Sequence, residues 1–288
     1  MNDGFWLTRK RQARPVLRRS HLIEFHDQPW FPSSLRDGVT DTLEFILGLR
    51  NLYAPMVPRL RRALQEAGTH RILDLCSGGG GPWLWMSRLF HKEENFPVEV
   101  CLTDKYPNRR AFAHERIASL NKINFSVEAV DATQVPGNLN GFRTIFTSFH
   151  HFRPKEARAI LQNAVDNQEG IAVFEAPGRH PLTLLLLFTL PIATLAVVPF
   201  IRPFRWSRLL WTYLVPLLPF VLFFDGIVSC LRVYSPKELL ELTSGLSASS
   251  YRWEVGEEGK RGLSIPITYL IGHPSLGDAP KFESGLSS

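Results

Sequence analysis

The chain has 288 residues, of which 44% are hydrophobic, so it can form a sizeable core and does not have the composition of a disordered protein. Its formal net charge is +6, but residues 1–20 contain six basic residues and one acid, so most of the excess charge lies in a tail. Three scattered cysteines exclude a disulfide framework and indicate a reducing, cytoplasmic compartment.

The basic tail limits the partners that the chain can take. Solvent, an anionic membrane surface and nucleic acid all remain open as surroundings of such a tail. Nucleic acid is disfavoured as the substrate, because the rest of the chain is close to neutral and offers no basic face. No apolar segment follows the tail directly, so we expect no signal peptide.

Hydrophobic spacing predicts helices at residues 40–52 and 57–67, after an irregular segment that contains several prolines. Strand and helix patterns then alternate. They predict strands at residues 71–76, 98–103, 124–130, 143–149 and 170–176, and helices at residues 82–91, 108–120 and 154–165. A helix at 236–242 and strands near 251–255 and 264–272 complete the pattern. This alternation predicts an α/β fold with a doubly wound, mostly parallel sheet.

A glycine-rich turn follows the first predicted strand in the segment ILDLCSGGGGP, residues 72–82. Asp74 ends the strand, and the glycines allow a ligand to approach the backbone at the start of a helix, where N–H groups are free. Acids recur at the next two strand ends, as Asp104 and Asp131. The first of these can accept ribose hydroxyls, and the second an exocyclic amine. The pattern therefore predicts a nucleotide-like ligand at one edge of the sheet.

These segments resemble the motifs of class I S-adenosylmethionine-dependent methyltransferases. ILDLCSGGGGP resembles the first motif, LTDKYPN the acidic second-strand motif, AVDAT the segment that contacts adenine, and TIFTSFHHF the fourth-strand motif beside the methyl donor. The resemblance covers about residues 70–176. It implies the class I methyltransferase fold, methyl transfer and S-adenosylmethionine as cofactor. The cofactor-binding residues that it implies are Asp74, Cys76, Ser77, Gly78, Gly80, Asp104, Lys105, Asp131, Ala132 and Ser148.

In the implied arrangement, Asp74 lies near the amino end of the cofactor's methionine, and Asp104 holds the ribose. Asp131 and Ala132 lie beside the adenine, while glycines of the turn pass under the ligand. Cys76 stands where the family often has its first glycine, and we expect that this position need not adopt a left-handed conformation.

A nicotinamide dinucleotide would instead favour the pattern G-x-G-x-x-G. Gly78 and Gly80 open that pattern, but Trp83 occupies the place of the third glycine. An NAD-dependent oxidoreductase is therefore the alternative enzyme. The alternative without catalysis is a membrane-associated module that only binds the cofactor.

Two adjacent histidines, His150 and His151, follow the fourth strand and are the candidate catalytic residues. A histidine there can act as a general base toward a hydroxyl acceptor, or it can simply cap the strand. We expect no metal site, because no carboxylate lies near these histidines in the sequence.

Four residues are candidates for binding the methyl acceptor. Trp30 and Phe31 lie in a proline-bounded segment that can cover a pocket or pack as part of an N-terminal arm. Glu175 ends the fifth strand, and Asp225 follows a long apolar run. Each of these two acids can bind the acceptor or cap a local turn or helix.

Two uncharged runs, residues 181–201 and 209–224, flank a linker with three arginines. The first run is long enough to span a membrane, but prolines interrupt both runs, and an arginine-rich linker prefers the cytoplasmic side. A shallow membrane hairpin, a buried helical pair and a spanning hairpin all remain open. The sequence therefore predicts methyl transfer to a hydrophobic or lipid-like small molecule at the inner face of a membrane.

The sequence pattern also divides the chain into five parts. It does not indicate an oligomeric state. The parts are an N-terminal tail and helical lid (1–69), the cofactor-binding core (70–176), the apolar insertion (177–234), a C-terminal helix with closing strands (235–275) and a tail (276–288).

Overall fold

The computed structural model describes residues 17–49, 51–92, 95–107, 122–246, 251–259 and 266–275. Three predicted segments lie outside these ranges. They are the basic tail as far as residue 16, the helix at 108–120 and the C-terminal tail from residue 276.

Within the described ranges, seven strands form one sheet in the order β3-β2-β1-β4-β5-β7-β6. The strands are β1 (Arg71–Asp74), β2 (Glu99–Leu102), β3 (Ile123–Phe125), β4 (Phe142–Phe146), β5 (Ile171–Glu175), β6 (Tyr251–Glu258) and β7 (Ile267–Pro274). The pairs among β1 to β5 are parallel, whereas β7 is antiparallel to β5 and β6 is antiparallel to β7. The predicted fold class, a mostly parallel sheet with a closing strand pair, is confirmed.

Helices cover both faces of the sheet. They are α2 (Val57–Glu66), α3 (Trp83–Lys92), α4 (Pro154–Asp166) and, after the insertion described below, α9 (Pro236–Thr243), whereas the preceding helix α1 (Ser33–Leu49) packs against the insertion. Helices α2 and α3 bury apolar side chains against one face, in a core that includes Leu60 and Met86. Helices α4 and α9 cover the opposite face through Ile160 and Leu239. Every residue of β4 and β5 is buried, as expected for central strands covered on both sides.

The sequence explains where several of these helices begin. Proline stands at the first position of α4 and α9, where its missing N–H has no partner to lose. Before α9, the Ser235 hydroxyl accepts a hydrogen bond from the Glu238 N–H, and the Glu238 carboxylate accepts one from the Ser235 N–H. This capping box fixes the helix start.

The apolar insertion between β5 and α9 is helical, as predicted. It contains α5 (Pro181–Leu187), α6 (Leu190–Val197), α7 (Trp206–Leu209) with a following π-helical turn, and α8 (Leu217–Arg232). A third apolar core joins this insertion to the N-terminal region. It includes Phe31 and Leu35 on one side and Val198, Leu218 and Leu222 on the other.

Most elements differ from their predicted bounds by a few residues, and three of these differences have clear local reasons. Helix α1 starts at Ser33, because the Pro32 carbonyl accepts hydrogen bonds from the next turn, and it is followed by Asn51 with a φ of 42°. Strand β4 ends at Phe146, because Thr147 has a left-handed φ of 47°. Strand β3 is limited to three residues, after which the chain turns at Ser126.

Candidate functional site

The glycine-rich turn connects β1 to α3 through residues with left-handed backbone conformations. Cys76 has a φ of 58°, and Gly78 and Gly80 have φ values of 55° and 110°. The expectation that Cys76 need not be left-handed is therefore wrong. Glycine adopts such angles without steric cost, whereas Cys76 carries a side chain in a conformation that L-residues disfavour. These conformations allow a ligand to approach the backbone of the turn closely.

Asp74 lies beneath this turn and supports it. The side chain is buried, and its Oδ1 atom accepts hydrogen bonds from Trp83 Nε1 (3.0 Å) and Thr144 Oγ1 (2.6 Å). Its Oδ2 atom accepts one from Ser77 Oγ (2.7 Å). Burial raises the pKa of Asp74 to about 7, although these three hydrogen bonds act in the opposite direction. Asp74 and Ser77 thus organise the turn from below.

Asp104 lies at the tip of β2 and faces the turn. Its Oδ2 atom accepts a hydrogen bond from Gly78 N (3.0 Å), and its Oδ1 atom accepts one from Tyr106 N (2.8 Å). A carboxylate has about four lone-pair sites, so each oxygen retains acceptor capacity. Asp104 is partly exposed and can therefore hydrogen-bond to a ligand that lies on the turn.

Asp131 lies close to the tip of β2 as well. Its Oδ2 atom is 2.8 Å from Lys105 Nζ, and its Oδ1 atom accepts hydrogen bonds from the N–H and hydroxyl groups of Thr133. The hydrogen bond from Lys105, with those from Thr133, lowers the pKa of Asp131 to about 2. The Val130 N–H also donates to the Asp104 carbonyl at 2.9 Å, so the three predicted acids lie along one edge.

Two further predicted cofactor-binding residues make most of their contacts within the protein. Ala132 is buried and belongs to the core between β4 and α4. Ser148 is half-buried and donates its hydroxyl hydrogen to the Phe146 carbonyl at 3.0 Å. Both still lie in the loops that follow β3 and β4.

His150 forms a buried pair with Glu175. The Nδ1 atom of His150 is 2.6 Å from Glu175 Oε2, and Glu175 Oε1 accepts hydrogen bonds from the backbone N–H groups of Phe149 (2.6 Å) and His150 (3.3 Å). Glu175 was a candidate for binding the acceptor. Because both of its oxygens are engaged and it is fully buried, its role is instead to orient His150.

The other ring nitrogen of His150 points toward the N-terminal segment. Nε2 lies 3.9 Å from Glu24 Oε1 and has no hydrogen-bond partner among the described residues. A histidine held at Nδ1 by a carboxylate keeps Nε2 as its basic nitrogen. The pair has the arrangement of a general base and its orienting acid.

A cluster of charged side chains surrounds this pair. Arg232 of α8 reaches Glu24 Oε1 (2.8 Å), Asp27 Oδ2 (3.1 Å) and His151 Nδ1 (3.2 Å). His26 joins the cluster through Glu24 Oε2 at 3.6 Å. We call these five residues the ion cluster. It fastens the segment before α1 to the end of α8.

Four members of the ion cluster could hold a metal ion by distance alone. The ligand atoms of Glu24, His26, Asp27 and His151 lie within 4.8 Å of one another. The guanidinium of Arg232 already contacts three of these residues and balances their charge. The chain itself therefore supplies a positive charge to these carboxylates. The carboxylates that the sequence lacked near the two histidines come from a segment more than 120 residues earlier.

The environment shifts the pKa values within this cluster in different directions. Burial raises the pKa of Glu24. Burial alone would also raise that of Asp27, but the hydrogen bond and charge of His151 lower it well below its usual range. For His26, burial acts downward, whereas the hydrogen bond to Asp225 and the charges of Asp27 and Glu24 raise the pKa overall.

Asp225 and Phe31, two candidates for binding the acceptor, have other roles. The Asp225 carboxylate accepts hydrogen bonds from the N–H groups of Phe25 (2.8 Å) and His26 (3.1 Å), and it lies 2.9 Å from His26 Nδ1. Phe31 is buried in the core that joins α1 to the insertion. Both residues therefore hold the N-terminal segment in place. Trp30 is 68% exposed and remains available for contact.

Sequence reasoning missed two residues that line the site, Glu44 and Tyr53. Glu44 of α1 lies against the glycine-rich turn, and its Oε2 atom is 2.9 Å from the position that a Cβ on Gly79 would take. Tyr53 is buried, and its hydroxyl contacts the Thr147 hydroxyl at the end of β4. The helical spacing indicated α1, but it did not indicate which side of the helix would face the turn.

No protein-family model and no curated protein sequence matches the chain. Among solved structures, the chain is similar to magnesium protoporphyrin IX methyltransferase from Synechocystis PCC 6803 with bound SAH, at 14% identity and a TM-score of 0.44, over 82% of this chain and 94% of that one. An O-methyltransferase from neocarzinostatin biosynthesis, solved with S-adenosylmethionine and a naphthoic acid, is similar at 15% identity and a TM-score of 0.47, over 84% of this chain and 58% of that one.

A third similar structure is human N-acetylserotonin methyltransferase with S-adenosylmethionine, at 12% identity and a TM-score of 0.46. The similarity covers 82% of this chain and 56% of that one, so the chain spans little more than half of two of these three proteins. At these identities the comparisons concern the fold only. The chemistry of the site has to be argued from its own residues.

Proposed function

We propose that this chain is an S-adenosylmethionine-dependent methyltransferase that acts on a hydrophobic small molecule at the inner face of a membrane. The observation that carries the proposal is the row of acids along the glycine-rich turn. Asp104 accepts a hydrogen bond from Gly78 N in the turn. Asp131 pairs with Lys105, the residue that follows Asp104 in the chain. This arrangement suits an adenosine, which offers two ribose hydroxyls and one exocyclic amine as donors.

The residues at this edge fit the proposed cofactor better than a dinucleotide. In a dinucleotide site, the third glycine lets the helix pack closely under the pyrophosphate. Trp83 occupies that place and fills the space beneath the turn, where its indole N–H donates to Asp74. Asp104 and Asp131, by contrast, are partly exposed and keep acceptor atoms for hydroxyl and amine donors.

His150 and Glu175 support a reaction with a hydroxyl acceptor. Bound S-adenosylmethionine would supply a methyl group on a sulfonium centre, which is already activated for transfer. His150 Nε2 would take the acceptor's proton while Glu175 holds the ring at Nδ1 and stabilises its protonated form. His150 is buried beneath Glu24, so an acceptor reaches it only when the N-terminal segment moves.

The insertion supports contact with a membrane. A helix at Pro181–Phe200 has the length and apolarity to cross one, with a mean hydropathy of 2.3, and only 17% of it is buried in the structure. Its exposed side chains recur on one side, at Leu182, Leu185, Phe188, Ile192 and Leu195. Contiguous exposed apolar surface of this kind marks an interaction site.

The packing of the insertion favours a shallow position over a spanning one. Helix α8 makes an angle of 82° with the preceding helical segment, Trp206–Leu214. It also carries two buried charged groups, Asp225 and Arg232, that bind the N-terminal segment. Such groups are costly in lipid. The exposed face of α5 and α6 can instead lie flat on the membrane, as an interfacial amphipathic helix does. Three free cysteines, Cys76, Cys101 and Cys230, accord with the cytoplasmic side.

Calorimetric titration of the full chain with S-adenosylmethionine tests the proposed cofactor. We expect saturable binding, and no comparable binding of NAD⁺ or NADH. Asp104→Ala should weaken binding by about tenfold or more, because hydrogen bonds to a charged acceptor are each worth roughly 1.5–3 kcal/mol.

Asp166→Ala is the matched control, since this exposed aspartate on α4 lies away from the turn and its carboxylate accepts a hydrogen bond from Gln162. A folded wild-type chain that does not bind S-adenosylmethionine, or that binds NADH more tightly, would refute the proposal. Unchanged affinity in Asp104→Ala would remove Asp104 from the site.

A further inference from the structure

Two cavities lie between α1 and the glycine-rich turn, and Glu44 lines both of them. The larger has a volume of about 400 Å³ and extends to Ile201 and Arg202 of the insertion. The smaller, of about 80 Å³, extends to Thr147 at the end of β4. Both are also lined by Gly81, so the carboxylate of α1 and the end of the turn border the same two cavities.

The acid that the family resemblance assigns to the amino end of the cofactor does not face this space. Asp74 is 2% exposed, and its two oxygens already accept three hydrogen bonds from side chains beneath the turn. Its raised pKa also leaves it only partly ionised near neutral pH. An ammonium group on the upper side of the turn therefore needs another anion.

Glu44 has the position that Asp74 lacks. Its carboxylate lies against the backbone of the turn, 2.9 Å from where a Cβ on Gly79 would be. The other acid of the cavities, Asp41, lines only the larger one, whereas Glu44 lines both. Among the acids of the two cavities, Glu44 is thus the one at the turn itself.

We propose that Glu44 binds the primary ammonium of the cofactor's amino-acid end. This inference rests on the proposed function, and it makes α1 part of the cofactor site. An ammonium has three donors and a carboxylate accepts them in charge-assisted hydrogen bonds, which are the stronger kind. The adenosine end would be held by other acids, Asp104 and Asp131, of which Asp104 is bonded to Gly78 N.

The test compares two ligands that differ at this end. The full wild-type chain and Glu44→Gln are titrated with S-adenosylhomocysteine and with 5′-methylthioadenosine, which has the same adenosine and thioether but no amino-acid end. We expect Glu44→Gln to weaken S-adenosylhomocysteine binding by about tenfold, because a neutral amide replaces the charged acceptor. The affinity for 5′-methylthioadenosine should change by less than about twofold. Glu241→Gln, an exposed glutamate on α9, is the control.

A second variant, Gly79→Ala, displaces the Glu44 carboxylate by a change in the turn. Gly79 does not have a left-handed φ, so alanine fits its backbone, but the new Cβ would displace the flexible end of Glu44. Gly79→Ala should therefore keep the wild-type melting temperature and lose affinity for S-adenosylhomocysteine, again with little effect on 5′-methylthioadenosine.

Two results would overturn the inference: unchanged affinity of Glu44→Gln for S-adenosylhomocysteine, or an equal loss for both ligands. The second result would mean that Glu44 only supports the turn. Failure of the proposed function looks different, because the folded wild-type chain would then bind neither ligand.

Discussion

Asp74 lies beneath the glycine-rich turn, and three side-chain donors share its carboxylate. Burial raises its pKa to about 7, whereas an aspartate in an unfolded chain titrates near about 4. Between these two values the folded state binds a proton that the unfolded state releases. The contribution of Asp74 to stability is therefore complete below about pH 4 and is lost as the pH rises through about 7.

Asp74→Asn should remove this pH dependence. The amide keeps the shape of the side chain, one oxygen for Trp83 and Thr144, and an N–H group that can donate to Ser77 Oγ. We expect the melting temperature of the variant, relative to wild type, to be higher at pH 8 than at pH 4.5. Thermal unfolding at the two pH values measures this difference. A relative melting temperature that is lower at pH 8 would show that the ionised form of Asp74 stabilises the fold.

At the scale of elements, the N-terminal segment is fixed to α8 by buried charges. Arg232 donates to Glu24 and Asp27, and its guanidinium also donates to the Leu22 carbonyl. Glu24 is fully buried and Arg232 is nearly so. Removing one partner of such a pair leaves an uncompensated charge, which is more costly than removing both.

Arg232→Met should therefore lower the free energy of unfolding by about 3–5 kcal/mol. The double variant Glu24→Leu with Arg232→Met should lose less than the two single losses together, because neither charge is then left alone. Urea unfolding of the four proteins of this cycle measures the coupling. Arg252→Met, at an exposed arginine of β6, is the control. Additive losses in the cycle would mean that Glu24 and Arg232 do not stabilise each other.

The sequence predicts the elements better than it predicts the contacts between them. Local spacing was sufficient for the helix at Pro154 and for the glycine-rich turn, because capping residues and glycines act within a few positions. Besides the nearby His26, Glu24 has Arg232 and, at a longer distance, His150 as partners, and these two lie 208 and 126 positions away in the chain. No local pattern indicates such a pair. For the same reason, Glu175 looked like a free acid at a strand end until its partner His150 was placed.

At the scale of the whole molecule, the structure changes the argument about the arginine-rich linker. Arg205 pairs with Asp37 and Arg208 with Asp41, both on α1, so most of the linker's charge is balanced within the protein. Arg202 is exposed among aromatic side chains. The length and apolarity of the insertion were visible in the sequence. The sequence did not show which side of the insertion is exposed, because that depends on how the insertion packs against α1.

The exposed apolar surface of the insertion continues beyond α6. Phe200, Phe204, Trp206 and Leu214 are all exposed, and Trp206 is 78% accessible. These side chains follow the exposed side of α5 and α6 along the chain, and Arg202, exposed among them, has no ion pair among the described residues. Aromatic residues beside arginine suit the level of the lipid headgroups, where rings contact the acyl boundary and guanidinium groups contact phosphate.

We therefore expect the full chain to sediment with vesicles of phosphatidylcholine and phosphatidylglycerol in equal parts. The double variant Phe188→Ser with Trp206→Ser should bind them at least about tenfold more weakly, since full burial of one large apolar side chain is worth roughly 1.5–3 kcal/mol. Ile23→Ser with Val127→Ser is the matched control, because these residues are exposed and apolar but lie outside the insertion. If both double variants sediment as the wild type does, the insertion is not the membrane-binding surface. A wild-type chain that stays in solution would contradict membrane binding altogether, and the exposed face would then need a protein partner.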